Sequence, residues 1–220
     1  MLTVDIINQN IPRLQLQDSV GKARQLINDF KVTHLPVISE EKYLGLISEE
    51  DLLDAEDDKA PIELLQQNFS PVSVPDDVHF LNAVNKSIQA DSNIIPVVNR
   101  GGLFVGVITA SDLLKTMGNF AGADEIGGLI VLEMERTHFA ISEISRIVES
   151  NDCTILHLNT TTNPVNGLLT VTIHLNKKEI ATVVATFERY DYDVVYFFGL
   201  EHFENEIESN YRNLMNYLDI

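Results

Sequence analysis

Two short motifs place a hydroxyl and an aspartate at the start of an expected helix. Residues 48–53 read Ser-Glu-Glu-Asp-Leu-Leu, and residues 109–114 read Thr-Ala-Ser-Asp-Leu-Leu. A hydroxyl three positions before a carboxylate, ahead of an apolar run, is typical of a capping box at a helix N-terminus. The same terminus offers backbone amides and positive dipole density, which favour a bound phosphate. The motifs therefore predict helix caps, anion-binding sites, or both.

The two motifs differ in charge. Glu49 and Glu50 stand between Ser48 and Asp51, and unscreened carboxylates at short range repel a phosphate by several kcal/mol, on the order of Coulomb estimates at low effective dielectric. We therefore expect the second motif to be the better candidate for binding an anionic ligand.

The rest of the chain does not predict catalysis. Cys153 is the single cysteine and has no neighbour in sequence that would lower its pKa, so a buried thiol is expected. The six histidines show no His-x-His or His-x-x-x-His spacing. His157 and His174 are placed to face each other across a hairpin, either as ordinary sheet residues or as a paired metal site. With no nucleophile elbow and no phosphate loop, we expect no catalytic residue, no metal site and no required cofactor.

The net charge limits the possible partners. Lys and Arg total 15 against 33 Asp and Glu in 220 residues, which gives −18. Such a field repels phosphate polyanions, so nucleic-acid binding is not expected. No apolar run approaches the roughly 20 residues of a membrane span, and the N-terminus does not resemble a secretory signal. Together with the lone cysteine, these features predict a cytoplasmic protein without membrane insertion.

Acidic residues are concentrated between positions 40 and 59. Nine carboxylates stand there against Lys42 and Lys59. Such a segment is either a solvated acidic face or a surface that responds to a divalent cation such as Mg²⁺, because hard cations prefer clustered carboxylates.

A repeat sets the architecture of the first half. Leu-Pro-Val-Ile at 35–38 precedes Gly45, and Ile-Pro-Val-Val at 95–98 precedes Gly106; by subtraction, the prolines lie 60 positions apart and the glycines 61. Each copy reads strand, helix, strand, strand, helix, and neither alone holds enough apolar residues for a core, so we expect pseudo-two-fold packing. The predicted apolar stripes of the first helices are Val20, Ala23, Ile27, Phe30 and Val78, Leu81, Val84, Ile88.

This pattern resembles a pair of cystathionine-β-synthase (CBS) domains, at about residues 5–58 and 62–118, and is similar to bacterial proteins of the acetoin-utilisation type. The resemblance implies that Thr109 contacts the phosphate and Asp112 the ribose of an adenosine ligand such as AMP, ADP, ATP or S-adenosylmethionine. It also implies a homodimer. The positions that correspond to an adenine pocket are Val72, Ile94, Ile95 and Pro96, and those of a weaker site are Ser48, Asp51, His34, Leu35 and Pro36. The alternative role of the apolar positions is core packing.

The second half of the chain shows a different order of predicted strands and helices. A linker rich in small residues is expected at 119–127, followed over 128–199 by a β-α-β-β-α-β order, the ferredoxin-like split unit. This order resembles an ACT domain, although residues 135–139 lack the glycine with which ACT domains usually approach an amino acid. Residues 200–220 predict an amphipathic helix that packs on this unit or forms a dimer seam. The predicted fold class is α/β (α+β).

The sequence thus favours a non-catalytic regulatory protein that binds a small ligand between the repeats, and the resemblance implies that this ligand is an adenine nucleotide. Two alternatives remain open: a divalent-cation-responsive module, and a scaffold with vacant ligand sites that binds a regulated partner protein.

Overall fold

In the computed structural model, residues 1–199 are described, and the chain divides into two compact units at residues 118 and 119. The first unit has a 3₁₀ helix before each repeat, at Thr3–Ile6 and at Ile62–Asn68. Its other elements are β1 (Leu14–Gln15), α1 (Val20–Phe30), β2 (His34–Ser39), β3 (Lys42–Ser48), α2 (Glu49–Leu53), β4 (Val74–Pro75), α3 (Leu81–Ala90), β5 (Ile94–Val98), β6 (Phe104–Thr109) and α4 (Ala110–Ala121).

The two repeats form matching three-stranded sheets, ordered β1-β2-β3 and β4-β5-β6. In each sheet the short first strand is parallel to the second, and the second and third form an antiparallel hairpin. Both repeats therefore have the predicted order of elements. Ser19 caps α1 as expected, because its hydroxyl accepts a hydrogen bond from the Lys22 amide at 3.2 Å.

Each repeat is completed by the segment that precedes the other one. Asn8 bridges Val107 of β6, and Ser70 bridges Leu46 of β3. This crossed pairing explains the glycine of each motif. A Cβ on Gly106 would collide with the Ile7 side chain. One on Gly45 would lie 2.7 Å from the Cβ of Phe69.

The repeats share their interior. Ile94 and Val107 of the second repeat belong to the buried cluster of the first. On the surface, the equivalent residues Thr33 and Asn93 bond to each other. The Thr33 amide donates to Asn93 Oδ1 at 2.8 Å, and the Asn93 amide donates to Thr33 Oγ1 at 3.2 Å. The pseudo-two-fold packing predicted from the repeat is present.

One predicted stripe is confirmed only in part. α3 begins at Leu81, later than the expected start near residue 75, and Leu81 and Ile88 are 41% and 75% exposed. The buried positions are Phe80, immediately before the helix, and Ala83. Val78 and Val84 pack against the core of the second repeat, as predicted. In α1, the last stripe residue, Phe30, is likewise exposed.

The second unit is a four-stranded antiparallel sheet of order β10-β7-β9-β8. That order with two crossing helices is the predicted ferredoxin-like arrangement. Its elements are β7 (Gly128–Met134), α5 (Ile141–Glu149), β8 (Ile155–Thr162), β9 (Leu169–Leu175), α6 (Ala181–Arg189) and β10 (Asp193–Phe198). His157 and His174 are register partners on β8 and β9, as the position of the hairpin turn predicted.

The expected linker is partly helical. α4 continues to Ala121 because no helix-breaking residue follows Gly118 until Gly122, whose φ of +63° lies in the left-handed region. The predicted helix at 200–220 lies outside the described residues.

Candidate functional site

The second-repeat motif forms a closed capping box at the start of α4. Asp112 Oδ2 accepts hydrogen bonds from the Thr109 hydroxyl at 2.6 Å and from the Thr109 amide at 3.2 Å. The Asp112 amide donates to Thr109 Oγ1 at 3.1 Å. A third donor to the same carboxylate oxygen is Asn8 Nδ2, at 3.3 Å. Sequence reasoning did not identify Asn8 as a member of this site.

The first-repeat motif forms an equivalent box at α2, a helix of only five residues. Asp51 Oδ2 accepts from the hydroxyl and the amide of Ser48, and the Asp51 amide donates to Ser48 Oγ at 3.1 Å. Here the added donor is Asn68 Nδ2, which reaches the other oxygen, Oδ1, at 2.9 Å. Asn8 and Asn68 are 60 positions apart, like the prolines of the repeat, and this spacing is the signal that could have identified both.

Asp112 and Asp51 therefore differ in whether a carboxylate oxygen has no donor among the described residues. Every hydrogen bond to Asp112 reaches Oδ2, so within residues 1–199 no donor contacts its Oδ1. Both oxygens of Asp51 already have a donor. Asp112 is only partly buried, so a ligand hydroxyl has access to an acceptor that the first site lacks.

The backbone amides at the starts of α4 and α2 also favour an anion at the second repeat. At the first position of each helix the amide is used: Ala110 donates to the Asn93 carbonyl at 2.8 Å and Glu49 donates to the Thr33 carbonyl at 2.9 Å. The next amide has no acceptor in the described part of the chain. It belongs to Ser111 in α4 and to Glu50 in α2. An anion at the open amide would therefore meet a hydroxyl in the second repeat and a carboxylate in the first.

Small cavities adjoin both helix starts. One of about 240 Å³ lies at the first motif and is bordered by His34 and three carboxylates, Glu49, Glu50 and Asp91. Burial lowers the pKa of His34, although the charges of Asp51, Asp91 and Glu50 act against that shift. A second cavity, of about 330 Å³, adjoins Ala110 and has Asp91 as its one carboxylate. The surroundings of α4 are thus the less repulsive for a phosphate.

The predicted adenine positions are mostly interior. Ile94, Ile95 and Pro96 are buried on β5, and Leu35 and Pro36 are buried on β2. Their side chains therefore pack in the core, which was the alternative role considered from the sequence. Val72 lies ahead of β4, outside the strand predicted to include it. It is half-buried against both repeat cores, and its carbonyl accepts a hydrogen bond from the Tyr43 hydroxyl at 2.6 Å.

A cavity of about 540 Å³ belongs to the second unit. It lies beside the turn at 135–139, where a 3₁₀ helix of Arg136–His138 replaces a glycine-containing turn. Four carboxylates line it, those of Glu133, Glu143, Asp191 and Asp193. Tyr192 donates to Glu143 Oε2 at 3.0 Å; burial, together with that bond, raises the pKa of Tyr192 to about 12. The negative lining disfavours the carboxylate of an amino acid.

Two kinds of feature are absent from the described residues. Residues 1–199 contain no group of three or more His, Cys, Asp or Glu placed to hold a metal ion. In the same range no helix is long and apolar enough to cross a membrane.

Comparison with known families identifies the first unit. The CBS-domain model matches residues 4–58 and 68–119, so the protein carries a tandem pair of CBS domains. Tandem CBS domains are regulatory ligand-binding modules and are typically non-catalytic.

Curated relatives share only this part of the chain. An inosine-5′-monophosphate dehydrogenase from Korarchaeum cryptofilum is 28% identical over 116 residues, 52% of this chain and 24% of the relative. A homoserine O-acetyltransferase from Methanobrevibacter ruminantium is 24% identical over 119 residues, 53% of this chain and 24% of the relative. The chain thus spans about a quarter of the length of each.

Two solved structures align with just over half of this chain. A CBS domain pair/ACT domain protein from Thermotoga maritima aligns with a TM-score of 0.50 at 18% identity, covering 55% of this chain and 98% of that one. A provisionally named acetoin utilization protein from Vibrio cholerae aligns with a TM-score of 0.48 at 20% identity, covering 57% and 96%. The ACT-like assignment of the second unit stays a prediction.

Proposed function

We propose that the CBS pair is a regulatory sensor that binds one adenine nucleotide per chain, at the start of α4. The observation that carries this proposal is the asymmetry between two otherwise matched boxes. Within residues 1–199, Asp112 keeps one carboxylate oxygen without a donor, and the open amide of its helix belongs to Ser111. Thr109, Ser111 and the α4 terminus are assigned to the phosphate, and Asp112 Oδ1 to a ribose hydroxyl.

The first-repeat box is assigned as a vacant cap. Both oxygens of Asp51 are occupied, and α2 is too short to present a strong dipole. The carboxylates of Glu49, Glu50 and Asp91 repel a phosphate there. Ser48 and Asp51 then serve to hold α2 on its sheet, with the apolar positions around Leu35 and Pro36 in the core.

Ligand binding would shift the population of arrangements of the two repeats, because the ligand contacts α4 beside the Thr33–Asn93 junction. A homodimer and a regulated partner protein are part of this proposal, and the cytoplasm is the proposed location. The alternative function, a response to Mg²⁺ alone, is favoured by the carboxylates around the 240 Å³ cavity.

Isothermal titration calorimetry with AMP, with and without Mg²⁺, tests the proposal. We expect one AMP per chain for the wild type and for Asp51→Asn, and at least tenfold weaker binding for Asp112→Asn, because the amide keeps the side-chain shape but removes the charge-assisted acceptor. Equal affinities in all three proteins would contradict the assignment, and heat from Mg²⁺ alone would favour the alternative.

A further inference from the structure

Both helices of the second unit, α5 and α6, pack on one face of its sheet. The buried cluster joins residues of these helices to the alternate positions Ile130 and Leu132 of β7. Because side chains alternate along a strand, Leu129, Val131 and Glu133 lie on the opposite face, which is called the outer face below. The two helices therefore do not cover the outer face.

The outer face is apolar where β7 lies beside β10. Phe198 is the register partner of Leu129, and Tyr196 is the register partner of Val131. Tyr196 and Phe198 are 49% and 41% exposed. The row of Val131 becomes polar on β9, at Thr172. The apolar patch of the outer face thus consists of Leu129, Val131, Tyr196 and Phe198.

The β8 side of the outer face is already covered by the end of α4. The ring of Phe120 meets the ring of His157 edge-on, with 5.9 Å between their centroids. His174, the register partner of His157, is buried. A cover for the apolar patch therefore has to come from the β10 side of the sheet.

Residues 200–220, called the tail below, have the polarity of such a cover. Their apolar residues recur every three or four positions, as in a helix with one apolar side: Leu200, Phe203, Ile207, Tyr211, Leu214 and Leu218. Ser209 would lie about 200° around the helix from Ile207, on the polar side. A helix from Leu200 to Tyr211 would be about 16 Å long. That length matches the six residues of β10, which extend over about 17 Å.

The chain leaves the sheet beside the apolar patch. Gly199, immediately after β10, is buried, and a Cβ on it would collide with the Lys178 carbonyl. The backbone that leads into the tail is therefore held at the end of the sheet where Phe198 and Leu129 lie. A segment that reverses direction at this point runs back along β10 and over the patch.

We propose that the tail forms a helix that docks on the apolar patch of its own chain and covers the outer face of the second unit. Its occupant is the chain's own tail rather than a second copy, because the tail begins at the edge of the patch and its effective concentration there is high. This inference does not rest on the nucleotide site.

Paired cysteines in the full chain test the docking. Ile207 would lie about 10 Å along the helix from Leu200, which brings it to the row of Val131. Val131→Cys with Ile207→Cys should therefore form a disulfide within one chain when oxidised glutathione is the oxidant, as identified by peptide mass mapping. Val131→Cys with Ser209→Cys is the matched control. Because Ser209 faces away from the sheet, that pair should oxidise about tenfold more slowly or less readily still.

A second measurement does not depend on disulfide geometry. Ile207→Glu should release the tail and raise the fluorescence of ANS, a dye that binds exposed apolar surface, by about twofold or more. Ser209→Glu changes the net charge equally and should stay at the wild-type level. The buried Cys153 should react with a disulfide reagent as slowly as in the wild type, which separates release of the tail from unfolding of the unit.

Three results would overturn the proposal. Equal oxidation rates of the two cysteine pairs would show that the apolar side of the tail does not face the patch. A disulfide that joins two chains would assign the patch to the tail of a second copy. ANS fluorescence that is equal in Ile207→Glu, Ser209→Glu and the wild type would show that the tail does not cover apolar surface.

Discussion

At the scale of single residues, the two boxes differ by which atom a neighbouring asparagine reaches. The hydroxyl–aspartate pairs were predictable because a capping box is encoded within four residues of sequence. Asn8 and Asn68 were not identified, because their partners lie 104 and 17 residues away and depend on the crossed pairing of the segments before each repeat. The roles of Ile94 and Ile95 were also uncertain, since an apolar residue beside a cleft and one in the core look alike in sequence.

A negative charge introduced at Ser111, whose backbone amide is the open one of α4, gives a prediction about AMP affinity at the scale of residues. Ser111→Glu should weaken AMP binding by more than tenfold, because it reproduces the carboxylate that Glu50 places at the first site; two like charges 4 Å apart repel by about 4 kcal/mol at an effective dielectric of 20. Leu114→Glu is the matched control. That side chain is 75% exposed one turn further along, and the substitution changes the net charge equally. Equal weakening by both would contradict a local effect.

The cysteine gives a second prediction at this scale. Cys153 is 4% exposed, and burial raises the pKa of its thiol. A raised pKa leaves less thiolate at neutral pH, so the folded protein should react slowly with a disulfide reagent. The reaction, followed by absorbance at constant pH, should accelerate strongly in guanidinium chloride. Rapid labelling without denaturant would show that the thiol is accessible.

At the scale of elements, the repeat predicted strand and helix order well, since two copies had to satisfy one pattern. The predicted face of α3 was right for Val84 and wrong for Leu81 and Ile88. The buried Phe80 lies in the turn before the helix, and no periodicity within the helix reports it. The extension of α4 to Ala121 shows the same limit: small residues predict a linker by composition, yet only Gly122 has the positive φ that ends the helix.

The N-terminal arm, residues 7–10, lies close against β6, and this contact gives a prediction about stability at the scale of elements. Gly106→Ala should lower the free energy of unfolding by about 1–3 kcal/mol, the usual range for overpacking, because its Cβ meets the Ile7 side chain. Gly101→Ala is the control. There the nearest atom is Asn99 Oδ1 at 3.3 Å, in a turn. Urea unfolding followed by circular dichroism measures both, and indistinguishable midpoints would show that the arm is not held against the strand.

At the scale of the whole molecule, the sequence predicted a repeat pair and a ferredoxin-like unit, and both architectures are present. The oligomeric state cannot be predicted from the sequence of one helix or strand. A symmetric dimer interface is a surface patch, and the residues of such a patch are also compatible with exposure to solvent. We predict a homodimer, as the CBS resemblance implies. Sedimentation equilibrium should give twice the chain mass of 24.7 kDa, and a mass of one chain at all concentrations would contradict it.

The most direct test of the nucleotide assignment is a thermal-shift measurement of the full chain with AMP, with Mg²⁺ alone, and with neither. A ligand at a hundred times its dissociation constant adds about 2.7 kcal/mol to the stability of the folded state, which raises Tm by several degrees. We predict a full shift with AMP in the wild type and in Asp51→Ala. In Asp112→Ala the shift should be no more than about half as large, because at least tenfold weaker binding leaves about 1.4 kcal/mol or less at the same AMP concentration. Each protein is compared with its own ligand-free Tm. An undiminished AMP shift in Asp112→Ala, or a shift with Mg²⁺ alone, would contradict the account.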